Sequence, residues 1–226
     1  GVHTHVSPTD PLPPAAVPAR SDVFMAGRNF PVPAADFQGL TQDLSDIRDS
    51  AIAGGFFATS SGVYGYDVEL LPDDTYKVYK VTVLVPPPNG CTNTSNEYGW
   101  GTWSIQTETL WKTGTIPANG TFFLEDHVWV RGTVSSARLT IAAGVFPDNS
   151  STRKSITVNQ DIHYMNYDGQ DAIALIAQDN LNVGLMSNDV LRIDATLMAQ
   201  DGRVGRYYYS PPNDHSYSNK CGPTVV

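Results

Sequence analysis

The chain has 226 residues, with 23 acidic against 14 basic side chains and a formal net charge of −9. Phosphate contacts need clustered Lys and Arg, so this balance argues against a nucleic-acid partner, and no run of about 18 apolar residues is present to span a membrane as a helix. A hydrophobic content of 41 % gives material for one large or two small domains, and 19 Gly with 16 Pro mean many turns without disorder.

Residues 1–35 read as an extended, Pro-rich lead-in. His3 and His5 alternate with Val2, Thr4 and Val6 as on a short strand, facing solvent, with no third metal ligand nearby. Pro8, Pro11, Pro13, Pro14 and Pro18 hold the following stretch in a polyproline-like form. Gly1 stands where an initiator Met would, and no signal peptide is present, so a processed or truncated chain is expected.

Residues 36–118 read as a helix plus a hairpin. Phe37, Leu40, Leu44, Ile47 and Ala51 fall on one helical stripe, Asp36 can cap its start, and Gly54-Gly55 ends it. A lone amphipathic helix buries nothing, so this one should pack on the side or open end of a larger body. Tyr64–Leu70 and Thr75–Val83 both alternate in the strand manner, and Pro72-Asp73-Asp74 between them is turn chemistry. Adjacent Asp73 and Asp74 are expected as solvated turn residues. Trp100, Trp103 and Trp111 lie close in sequence; aromatic platforms bind sugar rings, although indoles more often fill cores.

From Asn119 onward the pattern is one of repeats. Ile173-Ala174-Leu175-Ile176-Ala177-Gln178-Asp179 recurs 22 residues later as Ala195-Thr196-Leu197-Met198-Ala199-Gln200-Asp201. A weaker copy at Leu139–Gly144 aligns Ala142 on Ala177, with Pro147–Thr152 as a loop that bulges from one turn. Repetition at such a period points to stacked supersecondary units. The expected fold is therefore mainly β: a parallel β-solenoid, or β-helix, over residues 119–226, with the helix and hairpin as its cap or flank. An ordinary β-sandwich with two similar strands is the alternative.

Cys91 and Cys221 sit in Asn-, Ser-, Gly- and Pro-rich surroundings, and a disulfide between them is expected rather than two free thiols. Closing so long a loop is worth about 5 kcal/mol in the chain-entropy model and implies an oxidising, extracytoplasmic setting.

The stretch Glu125–Gly132, a V-x-V-x-G rung, together with Asp171–Ala177 and Leu191–Gly205, resembles the β-solenoid ectodomains of PilX-type, type IV pilus-associated surface proteins of bacteria. Phe30–Pro33 and the helix at Asp36–Ala53 are similar to the segment preceding the solenoid in such proteins, so the resemblance runs from about Asp22 to Tyr209. It implies an extracellular, minor-pilin-like module on the bacterial cell surface, partnered by pilin-like subunits or other surface molecules. The apolar helix that anchors and polymerises pilins is not among these residues, so membrane attachment would run through a segment outside this chain, and filament assembly is not supported.

No phosphate loop, zinc helix or nucleophile elbow occurs. Asn166–Asp171 has the wrong ligand spacing for an EF-hand. Asp161, Asp179, Asp194 and Asp201 are the carboxylates a β-helix polysaccharide hydrolase or lyase would need on one face. Asp179 and Asp201 share a repeat position and should stack at a corner, where a turn role suffices. Arg203 and Arg206 face opposite sides of a strand and form no joint anion site. The reading is thus a non-enzymatic structural or adhesive module with no cofactor, catalytic residue or metal ligand. A carbohydrate-active enzyme and a glycan-binding module are the alternatives, separable by a carboxylate-lined groove or an exposed row of indoles.

Overall fold

The computed structural model describes residues 40–86, 92–93, 102–206 and 209–210. The lead-in, Asp36, Phe37, Trp100, Cys91 and Cys221 lie outside them, and with these the expected disulfide. The elements are α1 (Leu40–Gly54) and fifteen strands: β1 (Phe56–Ala58), β2 (Gly65–Leu70), β3 (Thr75–Leu84), β4 (Thr92–Asn93), β5 (Ile105–Thr115), β6 (Thr121–Leu124), β7 (Val128–Val134), β8 (Arg138–Ala143), β9 (Ile156–Thr157), β10 (Ile162–Tyr164), β11 (Ala172–Ala177), β12 (Leu181–Val183), β13 (Thr196–Ala199), β14 (Val204–Arg206) and β15 (Tyr209–Ser210). Among the described residues the protein is mainly β with one helix.

Two sheets carry the core. One is parallel, in the order β1-β6-β8-β11-β13; the other is mixed, in the order β14-β12-β9-β7-β2-β3-β5, with β10 also paired to β7. Along most of the chain successive strands go to alternate sheets: β6 to the first, β7 to the second, β8 back, β9 across, then β11, β12, β13 and β14 in the same manner. The parallel pairing starts upstream of Asn119, since β1 pairs β6 and β2 pairs β7. A short pair, β4 with β15, is antiparallel and separate.

Register sets like residues over one another. Phe56, Phe122, Ile141, Leu175 and Leu197 form one inward row, and Ala58, Leu124, Ala143, Ala177 and Ala199 the next. Facing them from the mixed sheet are Tyr66, Val128, Ile156 and Leu181. All but Leu197 and Ala199, at the last strand, are buried. With two-residue periodicity, everything between these positions faces outward. The 22-residue repeat is therefore one step of strand pairing, Ala177 on Ala199. The upstream copy differs by one residue from the alignment read in the sequence: Ala143, not Ala142, lies on Ala177, and Ala142 pairs Ile176. The slip matters because one residue exchanges the two faces. Ala142 points outward, where Leu44 and Ala51 of α1 pack on it together with Phe123.

The amphipathic stripe of α1 thus covers the outer face of the parallel sheet, with Ile47, Phe57, Phe146 and Ile176 completing the contact. The mixed sheet extends beyond β2 by antiparallel pairing to β3 and β5. Tyr76 on β3 meets Phe56 and Phe122 edge-on at 5.3 and 5.0 Å, and Trp111 on β5 meets Phe56 at 6.2 Å. These rings close the core beside its first row. The hairpin is as expected, with Leu70 opposite Tyr76. Its turn is a partial correction. Asp73 is exposed and accepts from Thr75. Asp74 instead accepts from the Ser135 amide at 2.9 Å and the Ser136 hydroxyl at 2.8 Å, tying the turn to the corner after β7.

Candidate functional site

The outer face of the mixed sheet holds a polar network centred on Arg131. Strand β2 alternates, so Tyr66, Val68 and Leu70 enter the core while Asp67 and Glu69 face out. Parallel pairing sets Glu69 beside Arg131 of β7, and antiparallel pairing sets Glu108 of β5 beside Val81 of β3. Strands β2 and β5 so deliver three carboxylates to the one guanidinium of β7. Arg131 donates from Nε to Asp67 Oδ2 at 2.8 Å, from Nη1 to Glu69 Oε1 at 3.3 Å and from Nη2 to Glu108 Oε1 at 3.1 Å. Tyr79 donates to Glu69 Oε2 at 2.8 Å, and the guanidinium lies 5.6 Å from the centre of its ring. Fixed this way, Arg131 is an organiser of the face and has few directions left in which to bind anything else.

Asp67 is only 1 % exposed although it faces outward. Burial pushes its carboxyl up to about 7, against the pull of Arg131 and with the push of nearby Glu108. Glu108 lies within hydrogen-bonding reach of Asp67. Its Oε2 is buried and finds no donor, a lack that a proton on Asp67 can supply. Tyr79 is likewise pushed up to about 12, by burial and by its hydrogen bond to Glu69.

Beside this network opens a cleft of about 360 Å³. Asp67, Glu108 and Arg131 form its polar floor, and Ile105 and Met186 supply apolar wall. A shallower hollow of about 300 Å³ continues past Arg131 and Gln160 to Asp161 and His163. Among the described residues, no group of three or more His, Cys, Asp or Glu side chains could hold a metal ion.

The carboxylates singled out from sequence fall in two other places. Asp179 and Asp201 do share a corner. Asp179 is half-buried, accepts from Asn180 at 2.8 Å and is raised by that burial; Asp201 meets Arg153 at 3.5 Å, which also binds Asp148 at 2.8 Å. Asp161 and Asp194 flank His163 at 3.3 and 3.8 Å. Asp161 also accepts the Arg192 amide at 2.9 Å, the chief cause of its lowered pKa, and Asp194 accepts from Tyr167 at 2.6 Å. Each fastens a turn, and only Asp161 borders the hollow beside Arg131. In the Asn166–Asp171 loop Asp168 accepts the Gln170 amide at 3.0 Å, a local turn.

Among the described residues the indoles make no exposed row: Trp111 is 43 % exposed but Trp103 and Trp129 are buried. Trp103 is 2 % exposed, edge-on to His127, and its carbonyl accepts from Trp129 Nε1 at 2.9 Å. Trp111 lies against Phe56 and Tyr66, with Lys80 Nζ 5.5 Å from its ring centre. Arg206 donates to the Leu185 carbonyl at 3.0 Å. The residues that build the cleft were not candidates from sequence: Glu69 and Arg131 are 62 residues apart, and only the stacking register joins them. The available signal was the pair of acidic side chains at alternate positions of a hairpin strand.

The chain matches no known family model, no characterised protein and no solved structure.

Proposed function

We propose that this chain is a rigid β-solenoid module of the bacterial cell surface, structural or adhesive and non-enzymatic, of the kind associated with type IV pili. The observation that supports it is the alternation of strands between two sheets with like residues in register: Phe56, Phe122, Ile141, Leu175 and Leu197 in one row. Units that cannot bury a face alone do so by stacking, and the product is a stiff body suited to presenting a surface. The helix and the hairpin extension cover one flank and one end of the stack. The acidic balance suits a soluble surface, and the resemblance to PilX-type ectodomains supplies the pilus context.

A carbohydrate-active enzyme is the second reading, favoured by the carboxylate-lined cleft. It is weaker because Asp67 and Glu108 are both bonded to Arg131, at 2.8 and 3.1 Å, and that pairing leaves neither free as a general acid or base.

The test is immunogold labelling of intact cells of the native host with antibody against this chain, paired with adherence of a deletion strain. Label on the cell surface or on filaments, with reduced adherence or altered piliation, supports the proposal. Label confined to the cell interior, or polysaccharide cleavage by the purified chain, overturns it.

A further inference from the structure

We propose that the cleft beside Arg131 binds a neutral or amine-bearing saccharide of one or two rings. The proposal goes beyond surface location, because the cleft would hold such a ligand wherever the chain resides.

Size is the first argument. About 360 Å³ lies at the low end of the range for small-molecule sites; it is too small for a helix or a folded partner, and it suits one or two sugar rings. Charge is the second. The floor sets Asp67 and Glu108 against one guanidinium that Glu69 also holds from beside the cleft, so a uronate, sulfate or phosphate would meet net repulsion, while a neutral hydroxyl or an ammonium would not. The unfilled hydrogen-bond capacity is the third. The side chains of Gln106 and Gln160, which also line the cleft, make no hydrogen bond among the described residues and are exposed. Two amides able to donate and accept match the vicinal hydroxyls of a sugar. Ile105 and Met186 give the apolar wall against which the C–H face of a ring can rest. Binding rather than cleavage is proposed because Asp67 and Glu108 are both held by Arg131, at 2.8 and 3.1 Å, and are not free to act as an acid and base pair.

The purified full chain is screened on an array of neutral and amino saccharides, and the hits are titrated by amide-detected NMR beside cellobiose, N,N′-diacetylchitobiose, chitobiose, digalacturonic acid and tetralysine. The expected result is that at least one neutral or amino saccharide shifts the side-chain amides of Gln106 and Gln160 and the Arg131 Nε–H, without turnover. The Gln106→Ala/Gln160→Ala double variant, altered only at exposed positions, then loses at least about tenfold in affinity while its backbone spectrum is kept. Digalacturonic acid leaves the spectrum unchanged. The inference is overturned if no saccharide on the array binds, if the double variant binds as the parent does, if digalacturonic acid binds as well as the neutral sugars, or if tetralysine alone shifts these signals, which would make the cleft a cationic-peptide site.

Discussion

Replacing Asp67 by Asn isolates the protonation of the buried carboxyl from every other titrating group. Asn keeps the size of the side chain, keeps an oxygen to accept from Arg131 Nε, now 2.8 Å from Asp67 Oδ2, and places an N–H₂ where a carboxylic proton would serve Glu108. The folded-state pKa of Asp67 is raised from 3.8 to about 7, chiefly by burial. Between these values the folded chain binds more protons than the unfolded chain, so stability falls as pH rises. The contribution is complete below the unfolded pKa and is lost as pH climbs through the folded one. From pH 5 to pH 8 the loss covers about two pKa units of differential protonation, worth about 3 kcal/mol. With a urea slope of a few kcal/mol per molar, the denaturation midpoint of the parent should drop by on the order of 1 M over that interval on account of this group. Urea unfolding of parent and Asp67→Asn at pH 5 and pH 8 is the assay. The parent should lose about 3 kcal/mol more than the variant between the two pH values. Equal losses would mean that Asp67 is already ionised at pH 5, held so by Arg131, and the account of a proton shared with Glu108 would fail.

His127 carries the opposite sign. Burial, with the Lys154 cation, depresses it to about 3, and its Nδ1 accepts the Ser155 amide at 3.1 Å; stability from the neutral ring is full above its unfolded pKa of 6.5 and is lost as pH falls towards 3. His127→Asn, which keeps an acceptor, should flatten the loss between pH 7 and pH 4 by about 3 kcal/mol, read by urea unfolding; an unchanged acid limb would refute the assignment. Gly132 has φ +115° and a Cβ there would sit 2.0 Å from the Leu70 carbonyl oxygen, whereas a Cβ on Gly205 meets nothing within 4 Å. Gly132→Ala should therefore lower stability by roughly 2 kcal/mol or more and Gly205→Ala by well under 1 kcal/mol, and thermal unfolding that ranks them the other way would count against the stacking register. Asp171, 8 % exposed, has both carboxylate oxygens buried without a hydrogen-bond partner, and its counterpart before β8 is Ala137. Asp171→Ala should stabilise the fold by about 1–3 kcal/mol in urea; a loss of stability would show that the carboxylate has a partner.

How much of this was legible in the sequence follows from how far apart the determinants lie. The hairpin could be read because its alternation and its Pro72-Asp73-Asp74 turn are contiguous, and Leu70 does face Tyr76. The 22-residue repeat could be read because β11 and β13 are consecutive in one sheet and share small and aliphatic residues at each matched position. One step further upstream the signal degrades. The segment between β8 and β11 contains two short strands of the other sheet and an irregular loop, and nothing local reveals whether Ala142 or Ala143 is the inward alanine. Burial decides it: Ala143 joins the central core while Ala142 meets the helix. The tryptophans were legible only through the general tendency of indoles to fill cores, which Trp103 follows. Their closeness in sequence says nothing of facing, and a turn at Trp103 with φ +55° sends that indole inward. The cleft was the least legible feature. Asp67, Glu69, Glu108 and Arg131 each read as an ordinary polar position on the wet side of a strand. They become a site only through three strand registers, two antiparallel and one parallel across more than sixty residues. In sheets assembled from strands far apart in sequence, chemistry on the outer face depends on which strand lies beside which. That is a property of the core rows, so mutations in the inward rows should disturb the cleft without touching any residue that lines it.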